Sequence, residues 1–343
     1  MDSTMRCARF AQQNGELELA VVPVPKITQT NQVKIKVYSC GVCHSDVLGK
    51  YGFPGISWPR IPGHEAVGRV LEVGSAVTRF KVGDKIGVGW FGGHCATCNP
   101  CLDNEWVCCQ KGQVCGIHYD GGYAEQMIAP EDACALVPEE LDFKHSGPLM
   151  CAGITVYNSI RQQDIKVGSL VCIQGIGGLG HLAIQFARKM GYEVVAFSGG
   201  ADKRDLALKL GANHYIDGSQ PDAIEQLTKL SPKLIVTTSP SAKAAESLLP
   251  ALATCGKFLL LAAITDPMNI NPLQLLLKKQ SIVGFPSGDS RDSEDTLKFA
   301  AINNVQAMVE VFPLEKAAEA LGKMLENRIR FRGVLSIVPE DQL

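Results

Sequence analysis

The sequence predicts an α/β protein of two domains, an irregular β-rich unit joined to a doubly wound parallel sheet. Three observations lead there. At 343 residues the chain is too long for one ordinary core. Its first 150 residues are short alternating segments punctuated by glycine and proline. From about Leu170 onward, buried apolar runs alternate with amphipathic stretches of helical length.

In "VKIKVYSC", Val33, Ile35 and Val37 alternate with Lys34, Lys36 and Tyr38, the pattern of a strand with one wet face. "EAVGRVLEVGSAV", "DKIGVGW" and "YAEQMIA" are further strands of the first unit. "LVCIQ" is then a continuous apolar run ending in glycines. Leu179, Leu182, Ala183, Phe186, Ala187 and Met190 follow it at the spacing of one helical face. "EVVAF" is a second buried strand, and "KLIVTT", "KFLLLA" and "SIVGF" follow with helix-length segments between them. Strands alternating with helices make a parallel sheet covered on both faces. "PLEKAAEALGKMLENRI" as a helix and "RGVLSIV" as a strand break that alternation, so the last fifty residues can return to the first domain.

The totals exclude several functions. Apolar residues make up 46% and charged residues 20%, as in a soluble globular protein. The formal net charge is −2, from 33 basic and 35 acidic residues, which leaves no excess to neutralise a nucleic-acid backbone. The longest apolar run, Phe258 to Ile264, is too short to cross a bilayer and reads as a buried strand. "MDSTMRCARFAQQNGELEL" holds no signal-like apolar run, so a cytoplasmic protein is expected. Thirteen cysteines in a reducing compartment point to metal ligands and buried thiols rather than disulfides.

Five of those cysteines crowd into "CATCNPCLDNEWVCC". Cys95, Cys98, Cys101 and Cys109 stand at C-x2-C-x2-C-x7-C, intervals from which four thiolates close a tetrahedron around zinc and leave no place for substrate. Cys108 is an alternative fourth ligand. The simpler reading, an accumulation of buried or redox-active thiols, does not account for this spacing among polar residues.

"GIGGLG" sets Gly175, Gly177 and Gly180 in the G-x-G-x-x-G pattern, with Gly178 and Leu179 between them. With 34 glycines in the chain the pattern alone carries little, but a buried strand precedes it and an amphipathic helix follows. There the glycines allow a tight turn and close approach of a dinucleotide's pyrophosphate, met by helix N-terminal N–H groups. A tight turn that binds nothing is the plainer reading. At the end of the next strand, where NAD enzymes carry a carboxylate for the ribose hydroxyls, "VVAFSGGADKR" offers Ser198, then Lys203 and Arg204. NADP(H) is therefore expected over NAD(H), although two solvated cations at a helix start, offset by Asp202, would look alike.

"GVCHSD" supplies Cys43, His44, Ser45 and Asp46; "PGHEAVGRV" supplies His64 and Glu65; "LMCAGITVY" supplies Cys151 and Thr155. Cys43, His64 and Cys151 could form a Cys2His zinc site with one open position, yet each alone is equally a buried thiol or core histidine. Trp58 and Trp90 are candidates for an apolar substrate wall and equally for core anchors.

With "GVCHSD", "GHEAVGRVLEVGSAV", the four-cysteine lobe, "MCAGITVY" and "GIGGLG" in this order, the chain resembles the zinc-dependent alcohol dehydrogenases of the medium-chain dehydrogenase/reductase superfamily over essentially its whole length. "CAGITVY" and the serine after the second strand are most similar to the NADP(H)-dependent, cinnamyl-alcohol-dehydrogenase-like branch. The resemblance implies a GroES-like catalytic domain over residues 1–153 and 289–343, interrupted by a Rossmann domain over 154–288, with the active site in the cleft between them. It implies two zinc ions per chain, a catalytic one on Cys43, His64 and Cys151 with Glu65 as an intermittent ligand, and a structural one on the four-cysteine lobe. It gives Asp46 the orienting of His64, Ser45 the start of a proton relay, and His44, Thr155 and Leu179 places along the cofactor. A homodimer interconverting a small primary alcohol and its aldehyde, aromatic or medium-chain, is the expected assembly and activity. Leu48 departs from the pattern, because many relatives carry a histidine there to pass the proton to solvent. Two other readings remain: a zinc-free type of quinone or enoyl reductase on the same fold, and a cofactor-binding protein without catalysis.

Overall fold

The computed structural model of the chain describes residues 3–342. Two compact units emerge, one running to Ile154 and resuming at Gly288, the other spanning Thr155–Ser287. In chain order the strands are β1 (Thr4–Phe10), β2 (Leu17–Pro23), β3 (Gln32–Val42), β4 (Ala66–Val73), β5 (Lys85–Val88), β6 (Gln126–Pro130), β7 (Cys134–Leu136), β8 (Leu170–Gln174), β9 (Glu193–Ser198), β10 (His214–Asp217), β11 (Leu234–Thr237), β12 (Lys257–Leu260), β13 (Ser281–Gly284), β14 (Val309–Pro313) and β15 (Arg332–Ser336).

The first unit is built around β3. Along one edge β3 pairs antiparallel with β4, with irregularities at Lys34/Ile35 and Val37/Ser39. On its other edge the first half, Gln32–Lys36, pairs with β6 and the second half, Ser39–Val42, pairs with β15. Such bulges bend a strand and raise its local twist, which lets one strand serve two neighbours. The sheet runs β14-β15-β3-β4-β5-β7 with β6 beside β3, and β1 with β2 forms a separate hairpin. Phe10, Ile35, Ile86, Met127 and Tyr123 are fully buried in its core.

The second unit is a six-stranded sheet in the order β10-β9-β8-β11-β12-β13, every pair parallel. This is the Rossmann arrangement, with strand order reversing between β8 and β11, the place where such sheets open a crevice for ligands. All five residues of β8 are buried, as a central strand covered on both faces requires. Val195, Ile235, Phe258, Leu227 and Leu248 form its core.

Two expectations are corrected. The run Phe258–Ile264 is strand only as far as Leu260, and Leu261 to Ile264 are half-buried or exposed. Leu260 is the last residue of β12 to pair with β13, and beyond it the chain leaves the ladder at the sheet's carboxyl edge. Likewise the expected helix over 313–329 begins as a single 3-10 turn, Leu314–Lys316, and is α-helical over Ala317–Leu325. Among the described residues no helix is long and apolar enough to cross a membrane.

Candidate active site and metal centres

The ends of β3, β4 and β15 meet at one place. Cys43 directly follows β3, and His64 and Glu65 directly precede β4. The register Cys40↔Ala66, with Gly41 N–H donating to Glu65 O at 3.1 Å, sets those three side chains side by side. Gly41 is glycine for a steric reason: a Cβ there would stand 1.8 Å from Glu65 Oε2. Cys151 arrives from the turn Gly147–Met150, which is docked where Ser39 Oγ donates to Phe143 O at 2.7 Å just upstream.

The result is a tight group. Single ligand atoms of Cys43, His64, Glu65 and Cys151 all lie within 4.8 Å of one another. The Cys43 and Cys151 sulfurs are 3.9 Å apart, far beyond a disulfide. On bonds of ~2.3 Å, two thiolates of one tetrahedral zinc stand about 3.8 Å apart, so this pair has the right span. His64 is buried, its Nδ1 is 2.9 Å from Asp46 Oδ1, and its Nε2 has no hydrogen-bond partner. A buried imidazole nitrogen left bare while its twin faces a carboxylate has the form of a metal ligand. The donor set, two sulfurs and a nitrogen with a carboxylate beside them, fits zinc.

The four groups perturb one another strongly. A hydrogen bond from the Cys151 thiol, with His64 and Arg332 nearby, holds the Cys43 thiol well below its ordinary value, while the same bond and burial push Cys151 well above. Burial opposes charge on His64, yet Asp46 and Cys43 outweigh it and raise the imidazole. Burial lifts the Glu65 carboxyl to about 7 against the pull of the Arg332 guanidinium, which pairs with Oε1.

The second group is Cys95, Cys98, Cys101 and Cys109, again with ligand atoms within 4.8 Å of one another. Sulfur separations are 4.0 Å for Cys95–Cys101, 3.4 Å for Cys98–Cys101 and 3.8 Å for Cys98–Cys109, again spanning the tetrahedral value. Backbone N–H groups of Cys95 and Lys111 donate to Cys109 Sγ, as they would to a thiolate. Hydrogen bonds from Thr97 bring the Cys95 thiol down to about 5. Cys108 is exposed and lies outside the group.

In the second unit, Gly175, Gly177, Gly178 and Leu179 form the turn from β8 into the helix Gly180–Lys189. Gly175 has φ +87°, and a Cβ on Gly180 would lie 1.8 Å from Gly175 O, so neither position accepts another residue without strain. A Cβ on Gly177 would meet nothing within 4 Å, an open face of the kind a pyrophosphate needs. Ser198 ends β9, Lys203 directly precedes the helix Arg204–Lys209 without a side-chain capping bond, and Arg204 is exposed.

Family models for the alcohol dehydrogenase GroES-like domain and the zinc-binding dehydrogenase match residues 29–139 and 178–301. An alcohol dehydrogenase, patD, of Penicillium expansum is 41% identical over 98% of both chains. The chain belongs to the zinc-type alcohol dehydrogenases of the medium-chain dehydrogenase/reductase superfamily. The aldehyde reductase AdhA of a Synechocystis strain is 34% identical over 91% of this chain and 93% of its own. The structure of a cinnamyl alcohol dehydrogenase from Sorghum bicolor superposes with a TM-score of 0.90 at 28% identity over 99% of both chains.

Within this zinc-type dehydrogenase the remaining candidates are spread more widely. His44 is exposed and Ser45 half-buried on the 3-10 turn His44–Val47, and Leu48 opens the next single turn. Thr155 donates its hydroxyl to Ser287 Oγ at 3.0 Å. Trp90 packs edge-on to His64 with centroids 5.1 Å apart, while Trp58 leans on the core and donates its indole N–H to Gly49 O at 2.8 Å. Sequence reasoning missed Arg332, Tyr123 and Phe53. Arg332 carried one signal, a charge at the head of an otherwise apolar strand, which has to find a partner if buried. Tyr123 donates to Asp46 Oδ2 at 2.9 Å, and Phe53 stands edge-on to Trp90 at 6.3 Å; neither was marked by any local pattern.

Proposed function

We propose that the chain is an NADP(H)-dependent zinc enzyme that interconverts a primary alcohol and its aldehyde, working toward aldehyde reduction on aromatic or medium-chain substrates. The observation that carries this reading is the convergence of Cys43, His64 and Cys151 with the bare His64 Nε2 among them. Residues 154–288 bind the dinucleotide, and 1–153 with 289–343 hold the metals. When bound, zinc supplies Lewis acidity toward the substrate oxygen and NADP(H) supplies or accepts the hydride.

The chain's own residues do the rest. Two thiolates and a neutral imidazole match the charge of a divalent ion, with Asp46 fixing the imidazole's tautomer through Nδ1. Glu65, held by Arg332, waits as an intermittent ligand. Ser45, two residues after Cys43 and half-buried, passes the proton to and from the substrate oxygen. Leu48 cannot extend that relay, so the chain's own part in it ends at Ser45. Trp90 and Phe53 form an apolar wall beside His64 that excludes water. The turn 175–180 takes the pyrophosphate, and Ser198, Lys203 and Arg204 take the 2′-phosphate, with His44, Thr155 and Leu179 along the rest of the cofactor.

The chemistry fits a cytoplasmic setting, since none of the thirteen cysteines is joined in a disulfide. The decisive experiment measures NADPH oxidation across aromatic and aliphatic aldehydes, with zinc content determined on the same sample. Turnover with two zinc ions per chain is expected. One ion per chain with turnover of a quinone or enone instead would replace this reading by the zinc-free reductase.

A further inference from the structure

We propose that Tyr123 is a positioning residue for the catalytic metal site, acting on His64 through Asp46; the proposal rests on the zinc reading of Cys43, His64 and Cys151. Tyr123 lies on the short segment before β6, 59 residues from His64 in sequence, and has no exposed surface. Its hydroxyl donates to Asp46 Oδ2 at 2.9 Å. That same oxygen accepts the backbone N–H of Cys43 at 2.9 Å, and the other, Oδ1, faces His64 Nδ1 at 2.9 Å. Two donors thus fix Oδ2, the phenol and the backbone of one metal ligand, and so turn Oδ1 toward the imidazole of another. Remove the phenol and one donor to a buried carboxylate is lost, leaving its plane held from the side of Cys43 alone.

A second contact acts on the same ligand by a different route. The Tyr123 ring fills the space under Gly63, the residue before His64. A Cβ on Gly63 would be 2.4 Å from Tyr123 Cδ1, and Gly63 has φ +105°. The backbone around Tyr123 also runs beside this segment: Gly121 N–H donates to Ile61 O at 2.8 Å, Gly122 N–H to Gly63 O at 2.9 Å and Tyr123 N–H to Pro62 O at 3.1 Å. Ring and backbone therefore fix where the chain enters His64, and the hydroxyl fixes how the imidazole is turned. Partners of ligating histidines commonly alter metal affinity by about 10–100-fold when removed.

Tyr123→Phe isolates the hydroxyl, because it keeps the ring under Gly63 and the backbone pairing. The expected result is an approximately tenfold weaker hold on one of the two zinc ions, read by competition with a chromogenic chelator, with the four-cysteine ion unchanged as an internal control. The cobalt-substituted protein should show a shifted visible spectrum at the catalytic site, and kcat should fall more than KM rises. The Asp46→Asn variant completes a cycle: if Tyr123 acts through Asp46, the double variant loses no more affinity than Asp46→Asn alone. Additive losses, or a Tyr123→Phe protein with wild-type zinc affinity and cobalt spectrum, overturn the proposal while leaving the zinc reading intact. A wild-type chain holding only the four-cysteine zinc overturns both.

Discussion

Arg332 and Glu65 meet as a buried ion pair although 267 positions separate them, because β15 pairs with the end of β3 just where β4 begins. Both groups are buried, and Glu65 Oε2 and Arg332 Nε have no further hydrogen-bond partner. Removing one member leaves an uncompensated charge, a loss of about 3–5 kcal/mol. Arg332→Ala should lower unfolding free energy by that order in denaturant titrations. The double variant Glu65→Gln/Arg332→Met should recover most of it, and no recovery would mean that the damage comes from packing around β15 instead.

The two cysteine-bearing groups should respond oppositely to mutation. His64→Ala removes one of three scattered ligands from a site carried by strands that fold without it. Loss of activity and of one zinc ion per chain, with a cooperative melt retained, is the expected result. Cys98→Ala opens a loop, residues 95–109, that has little apolar core of its own and would depend on a metal held by its four thiols. A lowered Tm should come first there, with activity per folded molecule largely kept. Thermal melts and metal analysis on both variants decide it; a His64→Ala enzyme with full turnover would end the zinc mechanism.

Much of this was legible in the sequence, and the reasons differ by element. β8 and β9 were read almost to the residue, because a central parallel strand is apolar on both faces and stops at glycine or serine. β10 (His214–Asp217) and β14 (Val309–Pro313) escaped, since an edge strand of four or five residues with polar positions has no periodicity to distinguish it. The four cysteines of the lobe announced themselves by spacing. Cys43, His64 and Cys151 did not, because their proximity comes from the β3–β4 register and the turn before Cys151, which only the family likeness could supply. Tyr123 and Arg332 were out of reach for the same reason: their roles are long-range contacts with no local mark.

Cofactor choice turns on the loop after β9. Besides Asp202 on the loop itself, Asp217, opposite Ser198 in the β9–β10 register, is a nearby carboxylate, and it is occupied. It accepts from Ser219 Oγ and N, Gln220 Nε2 and Gly200 N, bonds that bring it down to about 2 and tie the loop in place. With that carboxylate engaged, Lys203 and Arg204 are the groups that would receive a 2′-phosphate under the proposed NADP(H) reading. A charge-assisted hydrogen bond is worth about 1.5–3 kcal/mol, or about 10–100-fold. Arg204→Ala should therefore reduce kcat/KM for NADPH by roughly that factor per lost contact, and leave NADH nearly unchanged. Equal losses with both cofactors would remove the phosphate from this loop.

The outer edge of the parallel sheet predicts the assembly. β13 is the last strand in the order, half-buried at best, with no further strand on its outer side among the described residues. The helix before it, Pro272–Lys278, leaves Leu273, Leu276 and Leu277 exposed, the last two at 75%. An open strand edge next to three bare leucines is an aggregation hazard unless something covers it. A second copy related by a two-fold axis would cover both at once, because an isologous interface sets edge against edge and leucines against leucines. Leu276→Glu/Leu277→Glu would then bury like charges across the axis. Light scattering should find the unmutated chain at twice its 36.9 kDa mass and the double variant at the single-chain value. A variant that stays dimeric would move the interface elsewhere.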